Sequence, residues 1–132
     1  MMKFRLIERK NPRQPGDPSR FYAIGVTDAK VDIRELSEMI TEKSTVTSID
    51  TLAVIEALLT VIPRELAKGR IVTLGDLGTL RLTIKSEGSD QPDKFNASLI
   101  KGTKLHFRPG KKVKEVLNNI SFVKAKTDQS LP

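Results

Sequence analysis

The chain has 132 residues, 38% of them apolar, and carries 23 Lys and Arg against 16 Asp and Glu, for a net charge of +7. That length suits one domain with extensions and a modest core rather than two full domains. The absence of Cys excludes disulfides, thiolate metal sites and a cysteine nucleophile, and no run approaches the ~20 apolar residues of a membrane span.

With six aromatic residues and no Trp, the core must come mostly from Leu, Ile and Val, so pooling two small cores in a dimer would help. Residues 1–20 are too interrupted by charge and Pro to hold a signal-peptide core, which leads to the expectation of a soluble, cytoplasmic protein. Charge is segregated along the chain. Residues 1–20 hold six Lys/Arg against two acids, 21–80 six against nine, 81–112 eight against three, and 113–132 three against two. An acidic middle between basic flanks fits a polyanion-binding face better than uniform solubilising charge.

Phe4 to Ile7 alternates weakly and Phe21 to Val26 is a second β-run, which predicts a long-looped hairpin or arm. Between them Arg9-Lys10-Asn11-Pro12-Arg13-Gln14-Pro15-Gly16-Asp17-Pro18 is a basic loop whose three prolines exclude regular structure. Ile33, Leu36, Met39 and Ile40 recur at helical spacing over Asp32 to Lys43, with Asp32 as N-cap and Glu35 three residues on. After a polar turn, Ser48 can cap a second helix with the apolar stripe Leu52, Ile55, Leu58, Leu59 and Ile62, giving an αα-hairpin. Pro63 predicts a kink or restart, and Lys68-Gly69 the end of the helix.

Two β-runs then meet across Gly75-Asp76-Leu77-Gly78. In the second, Leu80, Leu82 and Ile84 share one face and Arg81, Thr83 and Lys85 the other. The polar stretch Ser86 to Ala97 reads as a loop or short protruding arm. Lys101 to Arg108 alternates again, Leu105 and Phe107 against Lys104, His106 and Arg108, until Pro109-Gly110 breaks it. A last helix is expected from Lys111 to about Ile120, and 123–132 as a disordered tail.

This order, with Val72-Thr73-Leu74-Gly75-Asp76-Leu77-Gly78-Thr79-Leu80 and Phe107-Arg108-Pro109-Gly110-Lys111 at its sharpest points, resembles the HU and integration host factor family of bacterial DNA-bending proteins over Val31 to Ile120. The extra N-terminal strands look like those of longer HU-related proteins of Bacteroides-type bacteria. The resemblance implies an α+β HU-like fold: a helix-turn-helix base, an antiparallel β-sheet saddle, a short C-terminal helix and an intertwined homodimer. Residues 1–30 would be a hairpin extension and 31–122 the HU-like domain. Leu77 and Leu80 stand where Phe is usual, and Asp76 replaces a Gly. The family's Arg-Asn-Pro arm tip is missing, because Pro92 lies among Asp90, Gln91 and Asp93, carboxylates that a phosphate backbone repels.

On that resemblance Arg81, Lys85, Lys104 and Arg108, with Lys101 beside them, would face the phosphates of double-stranded DNA. Lys111 and Lys112 sit in the first turn of the last helix, where free N–H groups also attract anions. The bland alternative is that all seven are ordinary solvated charges. Phosphate contacts without base readout would make binding weakly sequence-specific and salt-sensitive. Arg9, Lys10, Asn11, Pro12 and Arg13 resemble the arm tip transposed to the other end of the chain, with Pro12 as wedge; the alternative is a flexible connector. His106, the only His, has no arranged Ser, Cys or carboxylate and no ligand partners, so neither a catalytic site nor a metal is expected. Phe95 suits a loop anchor better than a base-stacking ring. Neither Gly-rich stretch has the Lys-Ser/Thr ending of a phosphate loop, so no nucleotide or other cofactor is expected. The overall expectation is a non-catalytic, nucleoid-associated, homodimeric DNA-binding protein of the cytoplasm. An HU-fold scaffold module that has lost DNA bending is the second reading.

Overall fold

The structure is a computed structural model that describes residues 1–126. Its elements are β1 (Met2–Arg9), β2 (Arg20–Val26), α1 (Ile33–Glu42), α2 (Ser48–Ala67), β3 (Val72–Thr73), β4 (Gly78–Ser86), β5 (Ile100–Pro109), α3 (Lys111–Asn119) and β6 (Phe122–Lys124). Two three-stranded sheets result, ordered β2-β1-β6 and β3-β4-β5. The fold is thus α+β, with three helices and two small sheets. The described residues divide into two compact units, one of residues 1–30 with 117–126 and one of residues 31–116.

In the first unit β1 and β2 form an antiparallel hairpin from Lys3↔Val26 to Arg9↔Arg20. The loop that closes it is two consecutive β-turns: Gln14 N–H donates to Asn11 O (3.1 Å), and Asp17 N–H to Gln14 O (3.1 Å). Pro12 and Pro15 each follow the first residue of a turn, the position for which the ring pre-sets φ. Asn11 Oδ1 also accepts from Arg13 N–H at 3.0 Å, an Asx-type brace.

The expected disordered tail at 123–132 is corrected at its start. Val123 and Lys124 belong to β6, which pairs in parallel with β1 (Met2↔Phe122 to Phe4↔Lys124), and Ala125 N–H donates to Phe4 O at 2.8 Å. Unpaired donors and acceptors on the edge of β1 make an apolar Phe-Val pair a ready ladder partner. Residues 127–132 lie outside the described residues.

In the second unit Asp32 caps α1, its Oδ1 accepting from Glu35 N–H at 2.9 Å. The cap of α2 is Thr47 rather than Ser48: Thr47 Oγ1 accepts from Asp50 N–H at 3.2 Å and donates to the Asp50 carboxylate at 2.8 Å. That reciprocal pair is open to Thr47 because Asp50 lies three residues beyond it. No restart occurs at Pro63; α2 runs on to Ala67. The turn after the proline is anchored by Leu66, the only buried apolar side chain among the described residues. Gly69, at φ +80°, then closes the helix in a Schellman motif, with Gly69 N–H donating to Leu66 O and Arg70 N–H to Glu65 O. The Lys68 ammonium (3.3 Å) and the Arg70 guanidinium (2.7 Å) hold the Glu65 carboxyl below the usual carboxylate range.

The apolar stripes form the helices as expected but do not build a core within the chain. The polar side chains are the buried ones. Ser37 and Thr51 are buried and bonded to the carbonyls of Arg34 and Thr47, while Leu36, Met39, Ile40, Val54, Leu58 and Leu59 are exposed. Small hydroxyl side chains whose donors are satisfied on their own helix let two backbones approach closely without a polar penalty.

Candidate nucleic-acid interface

The β4–β5 ladder decides which side chains stand together. Its register runs from Gly78↔Pro109 through Arg81↔His106 and Thr83↔Lys104 to Lys85↔Gly102. Alternation therefore puts Thr79, Arg81, Thr83 and Lys85 on one face with Arg108, His106 and Lys104. Arg81 lies opposite His106 and diagonal to both Lys104 and Arg108, at the ~7–8 Å typical of such neighbours. That face holds no carboxylate.

His106 is half-buried, and its Nε2 meets Thr83 Oγ1 at 2.7 Å. The bond fixes the ring against β4 in the middle of the basic face, a contact that could be found only once the register was known. The opposite face carries Leu80, Leu82, Ile84, Leu105 and Phe107, of which Ile84 (62%) and Leu105 (55%) are the most exposed.

Lys101 is not brought into this set. The register slips at Ser86↔Ile100, leaving Lys101 as the extra residue of a bulge, and its ammonium lies 3.9 Å from Glu87. Lys111 and Lys112 open α3 directly after Arg108-Pro109-Gly110, so they continue the basic run around its corner. Arg81, Lys85, Lys104, Arg108, Lys111 and Lys112 are all exposed, and none forms an ion pair among the described residues. Arg9, Lys10, Asn11, Pro12 and Arg13 belong to the other unit, at the closed end of the β1–β2 hairpin.

The corner that aims this sheet is a joint between the two sequence motifs singled out above. Residues Gly75–Leu77 make one 3-10 turn, closed by Leu74 N–H donating to Gly78 O at 2.8 Å. Gly110 N–H donates to Leu77 O at 2.9 Å, and Lys114 N–H to Gly110 O at 2.9 Å. Gly78 has φ +153°, and a Cβ there would strike the Phe107 ring and lie 2.6 Å from Arg108 O. At Gly110 a Cβ would strike Asp76 O and lie 3.0 Å from Gly78 N. Both glycines are needed for backbone to touch backbone.

Between β4 and β5, Glu87 N–H donates to Leu99 O (2.8 Å) just past the last ladder pair. The connection holds two 3-10 turns, Pro92–Lys94 and Ala97–Leu99, and no strand. It is a loop, not an extended β-ribbon, and Phe95 within it is 42% exposed.

A family model described as an HU domain fused to wHTH, Ig, or glycine-rich motif matches residues 1–124. The chain belongs to this HU family. The fold is similar to that in a crystal structure of a "putative bacterial DNA binding protein" from Bacteroides vulgatus ATCC 8482, at TM-score 0.65 and 15% identity. The match covers 93% of this chain and 47% of that one, so the HU chain spans about half the length of the protein it resembles. No curated protein matches its sequence. No described helix is long and apolar enough to cross a membrane.

Proposed function

We propose that this HU-family chain is a non-catalytic, homodimeric, weakly sequence-specific binder of double-stranded DNA with an architectural role at the nucleoid, in the cytoplasm. The carrying observation is the carboxylate-free face of β4 and β5, where Arg81, Lys85, Lys104 and Arg108 stand in one register without ion-pair partners among the described residues. Cations left unpaired on a rigid sheet keep their charge for phosphates, and Lys111 and Lys112 extend the set. The homodimer draws support from the exposed stripes of α1 and α2. One buried apolar side chain among the described residues is little to set against conformational entropy, and a second copy would cover those stripes. In such a dimer two sheets would form a saddle that the duplex wraps.

Salt titration of duplex binding tests this. Each neutralised phosphate contributes about −0.9 to the log–log slope, so six cations per protomer, twelve in the proposed dimer, give a slope of about −11 and roughly a millionfold loss between about 50 and about 200 mM salt. Absence of binding at the lower salt, or a flat slope, refutes the proposal. One observation favours the scaffold reading instead. The β4–β5 ladder ends at Ser86↔Ile100 without a ribbon beyond it, so a partner protein rather than bent DNA would then occupy the sheet.

A further inference from the structure

The hairpin of the other unit ends in a cavity of about 690 Å³ whose lining is mostly polar, including Arg9, Lys10, Gln14, Arg20 and Tyr22, with Asp17 as its one acid. Arg9 and Arg20 are directly opposed in the ladder. Like charges in that relation destabilise an antiparallel pair. Neither guanidinium has an ion pair among the described residues, and Asp17, although close enough to line the same cavity, forms none with them. The two Pro-primed turns hold the cavity's rim in hydrogen-bonded geometry, so little ordering is left for a ligand to impose. Two facing guanidiniums, an ammonium, and amide and phenol groups form a donor set suited to a phosphate oxygen cluster.

We propose that this turn-closed end is a second phosphate site, taking a phosphodiester of the DNA backbone between Arg9 and Arg20, with Lys10 and Tyr22 beside it. The proposal rests on the DNA-binding reading above but on different residues, so each can fail alone. The test is the salt slope of the full chain on a short labelled duplex, for wild type, R9A/R20A, R9K/R20K and, separately, R81A/R108A. Removing both hairpin charges takes four cations from the proposed dimer and should make the slope shallower by about 3.6, so that the affinity loss between about 50 and about 200 mM salt shrinks roughly a hundredfold. Lysine at both positions should restore the slope, because counterion release depends on charge. An R9A/R20A slope equal to wild type, or one that R9K/R20K does not restore, overturns the hairpin site. Binding of inorganic phosphate with no change in duplex slope assigns the site to the free ion and overturns it equally. An R81A/R108A slope equal to wild type counts against the sheet face only.

Discussion

Replacing the buried Gly78 by Ala should damage this protein more than the same change at Gly69 or Gly88, and the reason separates into two parts. At φ +153° and ψ −174° the backbone is in a region that is essentially glycine's alone, which costs an alanine about 1–3 kcal/mol. The new methyl must also displace Arg108 O, 2.6 Å away, and the Phe107 ring, and forced displacement in a packed joint costs about 1–3 kcal/mol more. The expected loss is thus about 2–6 kcal/mol, a large share of the ~5–15 kcal/mol that holds a domain together. Two controls isolate the parts. Gly69 also has positive φ (+80°) but open space around it, so Gly69→Ala should lose only about 1–2 kcal/mol. Gly88 has neither constraint and should change stability by less than about 0.5 kcal/mol. Urea unfolding followed by far-UV circular dichroism, at one fixed protein concentration so that association does not shift the midpoints, gives all three. If Gly78→Ala loses no more than Gly69→Ala, the joint is not close-packed and the argument that it aims the basic sheet fails.

Two further outcomes follow from other parts of the chain. If the chain pairs through the exposed apolar stripe of α2 as proposed, Leu58→Asp places a charge there and should raise the dissociation constant of that dimer more than about a hundredfold, about 2.7 kcal/mol, read by sedimentation equilibrium; a wild type that is monomeric, or a variant that associates like wild type, removes the stripe from any interface. Pro12→Ala should lower the bend angle of a bound duplex in a circular-permutation gel if Pro12 wedges between base pairs, and an unchanged angle would falsify the wedge.

The faces of β4 and β5 were legible in the sequence because period-2 alternation survives any change of surroundings: once Leu80, Leu82, Leu105 and Phe107 are set on one side, Arg81 and Lys104 share the other. Lys101 already has the parity of Thr103 and Leu105 rather than that of Lys104 and Arg108, and the bulge that makes it the extra residue was not legible, since one extra residue does not change composition. The helices were visible as stripes, yet Leu36 and Leu58 were poor guides to packing within the chain. An apolar stripe reports that a surface is to be covered and not by which copy. Strand β6 left no signal at all. Three residues carry no period, and their partner strand lies at the far end of the sequence. The hairpin's basic loop was visible as composition, whereas the opposition of Arg9 and Arg20 needed the register, which no turn motif in a ten-residue loop specifies.

Strand β6 also sets an order of assembly during synthesis. Residues 31–116 form a compact unit inserted in the sequence between β2 and β6, so the sheet cannot be finished until roughly 100 residues beyond β2 have been made. At roughly 5–20 residues per second, the β1–β2 hairpin waits about 5–20 s for its third strand. During that interval the flank of β1 that β6 will cover is an open template, beside the exposed Leu6 and Phe21. The nascent chain is therefore most open to mispairing with a neighbour on the same messenger while its helical unit is still emerging from the ribosome.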